Sequence, residues 1–160
     1  MNVILVQDFG INMTEIVLTK DIINNFLKHG EKDYPFECCG FILGHFINDK
    51  SVGTEYITVP NTKEENKERR FLIDPMVYQD AEDQADKKGI SIISIVHSHP
   101  DHPDRPSNFD KNHAWPGFSY IIMSVKKGIS VSYRSWKLNH DRTKFIEEKI
   151  TIIKEDKLYG

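Results

Sequence analysis

The stretch of the sequence best equipped for chemistry runs from His97 to Asp110. His97 and His99 are two residues apart at the end of an apolar segment, so the alternation of a strand points both imidazoles to the same side. Ser107 follows Pro106 in a position that suits a helix N-cap, which places Asp110 beside it in the first turn. Two neutral imidazoles and one carboxylate are a typical ligand set of a catalytic zinc ion, which keeps a fourth position open and would lower the pKa of a bound water to roughly 7.

Other polar side chains near this stretch are weaker candidates for the same site. Asp101 and Asp104 lie in a Pro- and Asp-rich loop, which makes them poorer ligands than Asp110. His113 lies three residues after Asp110 and could support the site from outside the ligand set. We expect His102 to be solvated or to contact a substrate.

Three further residues could be functional, but a structural role fits each of them better. Cys38 and Cys39 are adjacent and do not make a disulfide framework, so we expect reduced thiols. We expect Cys39 to be a small buried apolar side chain rather than a redox or metal-binding group. Trp115 could line a groove beside the histidines, although packing in the core is the preferred interpretation.

Helices and strands interleave along the chain and must position these residues. Residues 90–96 are almost all β-branched and apolar, which is typical of a strand buried on both faces in the middle of a sheet. Residues 61–70 are polar throughout and predict a loop. The predicted helices are residues 19–29 (ended by Gly30), 75–88 and 107–114. The predicted strands are residues 3–6, 41–47, 55–60, 71–73, 90–96, 118–125 and 128–138, and residues 147–153 are either a strand or a helix. The pattern favours helices packed on a mixed sheet, of the α/β or α+β class.

Length and charge restrict the class of protein. The 160 residues fit a single domain, which we place at residues 13–160, with residues 1–12 as an N-terminal extension or a short strand. A formal net charge of -3 gives no general attraction to nucleic acid or to an anionic membrane. The longest apolar runs are too short to span a bilayer, and the sequence shows no signal peptide. We therefore expect a cytoplasmic protein.

Two segments of the chain resemble a known family. The first reads His97-Ser98-His99-Pro100, six further residues, then Ser107-Asn108-Phe109-Asp110. It is similar to the JAMM motif (His-x-His-Pro-x6-Ser-x-x-Asp) of the MPN-plus metalloproteases. The second runs from Pro35 to Gly44, contains Glu37, and resembles the Pro-x-Glu-x-Cys-Gly-x-Leu-x-Gly pattern of small bacterial members, with Ile42-Leu43 as a slight departure. The resemblance covers residues 14–136.

The resemblance implies a role for each of five residues. His97, His99 and Asp110 would bind zinc, with water as the fourth ligand. Glu37 would act as general base and then as proton donor to the leaving amine, and Ser107 would donate a hydrogen bond to the scissile carbonyl or the oxyanion. The implied fold is a three-layer α-β-α sandwich with a mixed sheet, as in cytidine deaminases.

The resemblance also implies a substrate class. Small bacterial members include enzymes that act on the C-terminal tail of a ubiquitin-like or sulfur-carrier protein, whose extended tail would add to a sheet edge. The 61–70 loop could clamp such a partner. Two alternatives are a non-catalytic MPN interaction module, disfavoured because all five residues are present, and a RadC-like nucleic-acid-associated protein, disfavoured by the acidic balance. A deaminase is excluded because no Pro-Cys-x-x-Cys segment follows the histidines. The oligomeric state, including a homodimer, stays open.

Overall fold

The computed structural model describes residues 14–61 and 73–154. The predicted strand at residues 3–6 lies outside these ranges, as do nearly all of the predicted 61–70 loop and two residues of the predicted strand at 71–73.

The described part of the chain forms seven strands and three helices. In chain order they are β1 (Glu15–Thr19), α1 (Lys20–Asp33), β2 (Cys39–Ile47), β3 (Lys50–Val59), α2 (Pro75–Lys87), β4 (Ser91–Pro100), α3 (Asn108–His113), β5 (Ser119–Lys126), β6 (Ile129–Leu138) and β7 (Phe145–Ile153). All three predicted helices are present, and β7 settles the open choice for residues 147–153 in favour of a strand.

Side-chain caps and one glycine explain where the longer helices begin and end. The Thr19 hydroxyl accepts a hydrogen bond from the Ile22 N–H (3.2 Å), and Asp74 Oδ1 accepts one from the Met76 N–H (2.8 Å). Gly89 ends α2 with a φ of 69°. The prediction that Gly30 ends α1 was wrong, because the helix continues to Asp33 and uses the glycine for close packing. A Cβ at Gly30 would lie 2.5 Å from the sulfur of Met123.

The seven strands form a closed barrel in the order β1-β3-β2-β4-β5-β6-β7. The prediction of a three-layer α-β-α sandwich was therefore wrong. A sandwich needs an open sheet with helices on both faces, whereas β1 pairs in parallel with β3 on one edge and with β7 on the other. The sheet is mixed, as predicted, since β4 and β5 are also parallel and the remaining neighbours are antiparallel.

Two apolar clusters lie on opposite sides of the central strands. One includes Ile22 and Phe26 of α1, packed against buried residues of β1, β2, β4 and β5. The other includes Ala81 and Ala85 of α2, packed against β2, β4 and β5. Burying such side chains stabilises the fold by roughly 1.5–3 kcal/mol for each large one, so both faces of β4 are held firmly.

The strand that carries the histidines is the most buried element of the sheet. Every residue of β4 from Ile92 to Pro100 is buried, and β4 pairs with β2 on one edge and β5 on the other. The prediction of a central strand buried on both faces is confirmed, and this packing gives His97 and His99 a rigid base. Among the described residues, none of the helices is both long and apolar enough to cross a bilayer.

Candidate metal centre

The two histidines lie near the C-terminal end of β4 and point to the same face of the sheet. His97 is 1% exposed and His99 is 7% exposed. In the register of the sheet, His97 lies beside Cys39 of β2, and His99 lies beside Ser124 of β5. The alternation of β4 therefore delivers both imidazoles to one point, as the sequence predicted.

A capping box at the start of α3 brings the carboxylate to the same point. Ser107 is the N-cap, and its hydroxyl accepts a hydrogen bond from the Asp110 N–H (3.1 Å). In return the Ser107 N–H donates to Asp110 Oδ2 (2.9 Å). The same oxygen lies 3.0 Å from His99 Nε2, so the cap fixes the carboxylate against the histidine.

The three side chains form a compact group that could hold a metal ion. His97 Nε2 lies 3.2 Å from His99 Nε2 and 3.2 Å from Asp110 Oδ1. These atoms are of the kinds that bind zinc, and all are drawn from residues held by a strand or a helix cap.

The hydrogen bonding of His99 shows that the group fits a cation. His99 Nδ1 lies 2.7 Å from the carbonyl oxygen of Pro103, and because a carbonyl only accepts, Nδ1 carries the proton. In the neutral ring Nε2 then has a lone pair, directed at an Asp110 oxygen and at His97 Nε2. A positive charge between these atoms removes the repulsion of their lone pairs.

The surroundings of His97 and Asp110 lower the pKa values of both groups. Burial lowers the pKa of His97, and the adjacent Asp110 carboxylate only partly offsets this effect. Burial disfavours the ionised form of Asp110, but the protonated forms of His97 and His99 outweigh it and lower the pKa of that carboxyl well below its usual range. A neutral imidazole beside an ionised carboxylate is the state that a metal ion needs.

Glu37 is buried in the segment that leads into β2, the strand beside the histidines. The Cys38 N–H donates to the Ser98 hydroxyl (2.8 Å), and the Ser98 N–H donates to the Cys38 carbonyl (3.1 Å). These bonds hold the segment before β2 against the end of β4, and the 3% exposed Glu37 lies one residue before Cys38 in that segment. Asn61 Nδ2 donates to the Glu37 carbonyl (3.0 Å).

A cleft of about 820 Å³ opens beside the candidate metal-binding group. His97 and Asp110 lie in its wall, together with five aromatic side chains. The aromatic residues are Tyr78, Phe109, Trp115, Phe118 and Tyr120.

Trp115 is 63% exposed at this cleft, so the preferred prediction that it packs in the core was wrong. The contribution of α2 to the cleft was also missed, because no local pattern marks Tyr78 as a neighbour of residues some twenty positions later.

The weaker candidate ligands have other partners. Asp101 accepts hydrogen bonds from the Tyr34 hydroxyl (2.6 Å) and the Lys127 N–H (2.9 Å). Asp104 pairs with Arg134 (3.2 Å). His113 donates from Nδ1 to the Phe109 carbonyl (2.8 Å) within α3, and His102 is exposed, as expected.

Both cysteines are free and fully buried, which confirms the structural interpretation of Cys39. Burial raises the pKa of the Cys38 thiol to about 12 and raises the pKa of Cys39 as well. Because the thiolate is the reactive form, neither group is a nucleophile at neutral pH.

Comparison with known proteins identifies the family. A model for prokaryotic homologs of the JAB domain matches residues 19–139. No curated protein sequence matches the chain significantly. A solution structure from Desulfitobacterium hafniense is similar, with 30% identity and a TM-score of 0.77 over 88% of this chain and 94% of that one. Another, from Salinibacter ruber, has 34% identity and a TM-score of 0.68 over 85% of this chain and 90% of that one. The family match spans most of the sequence and includes Glu37, both histidines and Asp110, so the chain belongs to the prokaryotic homologs of the JAB domain.

Proposed function

We propose that this protein is a zinc-dependent peptidase that hydrolyses an amide bond at the C-terminal tail of a ubiquitin-like or sulfur-carrier protein. The observation that carries the proposal is the convergence of His97, His99 and Asp110 to 3.0–3.2 Å beside an open cleft. The family includes metalloproteases, and two imidazoles with one carboxylate match the ligand preferences of zinc. Bound zinc would supply a charge that acidifies water and polarises a carbonyl.

Glu37 is the residue that we assign to proton transfer. Its side chain is buried, two residues before Cys39, which lies beside His97 in the register of β2 and β4. There it accepts a proton from the attacking water and delivers that proton to the nitrogen of the leaving amine. A well-placed general acid–base of this kind contributes roughly 10²–10⁴-fold in rate.

Ser107 is the residue that we assign to the carbonyl oxygen of the substrate. Its oxygen accepts the Asp110 N–H bond of the cap, and a hydroxyl that accepts one bond still has its own hydrogen to donate. Donation to the oxygen that gains charge during hydrolysis stabilises the transition state. The cap therefore holds Asp110 and orients the donor at the same time.

An unpaired edge of β3 suits the extended tail of a carrier protein. β3 pairs with β1 only through Lys50, Ser51 and Val52. Within the described ranges, no strand lies beside its remaining part, residues 53–59, on that side. The end of this edge is near the metal centre, because Val59 lies beside Cys39, which in turn lies beside His97. An extended peptide added there would run toward the three ligands.

Incubation with carrier proteins that bear a short C-terminal extension tests this proposal. Mass spectrometry should show a single cut directly after the terminal residue of the carrier, lost on zinc chelation and in the Glu37→Gln variant. A folded protein without an extended tail is the control and should stay intact. Hydrolysis of unrelated peptides only would contradict the substrate assignment while leaving the zinc chemistry in place.

A further inference from the structure

We propose that Ser124, Trp136 and Arg134 are positioning residues for the metal centre. They lie on β5 and β6, outside the ligand set, and they hold the loop of residues 101–106 that joins β4 to α3. This proposal rests on the proposed metal site. The three side chains fix the Pro103 carbonyl, and this carbonyl fixes which nitrogen of His99 faces the metal.

Three successive backbone carbonyls of this loop accept hydrogen bonds from side chains. The His102 carbonyl accepts from the Ser124 hydroxyl (2.6 Å). The Pro103 carbonyl accepts from His99 Nδ1 (2.7 Å), and the Asp104 carbonyl accepts from Trp136 Nε1 (3.1 Å). The carbonyls on both sides of Pro103 are therefore tied to neighbouring strands, which leaves the Pro103 carbonyl little freedom to turn.

An ion pair anchors the same loop from its side-chain face. Asp104 is 7% exposed, and its Oδ1 lies 3.2 Å from Arg134 Nε. Arg134 also contacts the carboxylate of Glu147 on β7 through one terminal nitrogen (3.0 and 3.2 Å). A buried carboxylate needs a partner of this kind, because an unpaired charge in the interior is strongly unfavourable. Asp104, a weaker candidate metal ligand in the sequence, therefore anchors the loop through Arg134.

The consequence of this anchoring is a fixed tautomer of His99. While Nδ1–H donates to Pro103, Nε2 keeps its lone pair for the metal. If the loop relaxed, the proton could move to Nε2 or the ring could turn away from Asp110. Ser124 lies beside His99 in the register of β4 and β5, so one strand pair carries both the ligand and its anchor.

The zinc affinity of hydrogen-bond deletion variants tests the proposal. Ser124→Ala and Trp136→Phe each remove one donor to the loop, and the double variant removes both, without adding bulk. Zinc dissociation constants, measured by competition with a chelator, should rise on the order of tenfold in the double variant. Ser130→Ala is the matched control, because the Ser130 hydroxyl also donates to a backbone carbonyl, but to that of Leu27 in α1 and not to one of the loop. Its zinc affinity should equal that of the wild type.

A second readout separates positioning from general destabilisation. The ring nitrogens of His99 can be followed by ¹⁵N NMR in the zinc-loaded and metal-free protein. We expect a protected Nδ1–H signal in the wild type and in Ser130→Ala, and faster exchange of that proton with water in Ser124→Ala and Trp136→Phe. If the double variant did not fold, the single variants would decide the matter by the same two measurements.

Unchanged zinc affinity together with an unchanged Nδ1–H signal in both single variants would overturn the proposal. Failure of the substrate assignment alone leaves the zinc binding of the wild type in place. Failure of the proposed metal site gives a different result, because the wild type would then bind no zinc at all. In that case the exchange rate of the Nδ1 proton in the metal-free variants alone supports or overturns the positioning role.

Discussion

At the scale of single residues, the site depends on which lone pairs and protons meet in a small buried space. His99 has its proton on Nδ1, Asp110 is ionised, and His97 is neutral because burial lowers its pKa. The tautomer of His99 and the lowered pKa values of His97 and Asp110 do not follow from the type of residue alone. They result from burial and from neighbours that the fold supplies, such as the Pro103 carbonyl.

Replacing the proposed base should separate metal binding from catalysis. Glu37→Gln keeps the size of the side chain and removes its ability to take a proton, so we expect zinc to stay and the peptidase rate to fall by roughly 10²–10⁴-fold. Asp110→Ala should lose both. The measurements are zinc content and the rate of cleavage of a tailed carrier. Equal loss of zinc in the two variants would make Glu37 a ligand and contradict its assigned role.

The two thiols should be inert in the folded protein. Burial raises the pKa of Cys38 to about 12 and also raises the pKa of Cys39, so the reactive thiolate is scarce at neutral pH. Iodoacetamide should label neither cysteine under native conditions and both after unfolding in guanidinium. Mass spectrometry of the intact protein gives the number of labels. Rapid native labelling of either thiol, at the rate of the unfolded chain, would show that the β2 segment is not packed as described.

At the scale of elements, most individual helices and strands could be predicted, because their caps and periodicity are local. Thr19, Ser107 and the apolar run of β4 all act where the sequence places them. β1 was missed and β7 was left open, since five- and nine-residue strands at the ends of the chain gain their stability from partners far away in sequence. The extension of α1 through Gly30 depends on contact with Met123, which is also not local.

The packing of α1 on β3 should make stability depend on pH through His29. Its Nδ1 lies 2.6 Å from the Tyr56 hydroxyl and its Nε2 lies 3.3 Å from Asp33. Burial lowers the pKa of His29 below its usual 6.5, and Asp33 only partly offsets this. The unfolded chain therefore binds the proton more tightly than the folded chain. The stabilisation is complete above pH 6.5 and is lost as the pH falls through the lowered pKa of the folded state.

Denaturant unfolding at neutral pH and at about pH 5 measures this effect. The free energy of unfolding should fall between the two conditions in the wild type, and it should fall by less in His29→Gln, whose side chain does not titrate. An identical decrease in both proteins would assign the pH dependence to other groups.

At the scale of the whole molecule, the sequence predicted the candidate metal-binding group better than the architecture. The residues of the metal centre could be found because two histidines on one strand and a capped helix require only short-range geometry. Closure of the sheet could not be predicted in this way, because it depends on the pairing of β1 with β3 and β7. From Glu15 to its partners Lys50 and Lys149 the separation is 35 and 134 residues. The cleft also depends on long-range packing, since its walls come from α2, α3 and β5 together.

The zinc content of the purified protein tests the central claim most directly. Elemental analysis of protein never exposed to chelators should give about one zinc per chain in the wild type and almost none in the His97→Ala/His99→Ala variant. His113→Ala is the matched control, because His113 borders the same cleft but donates a hydrogen bond to the Phe109 carbonyl. The His113→Ala protein should therefore keep its zinc. Equal zinc content in the wild type and the double variant would contradict the assignment of the metal centre to His97, His99 and Asp110.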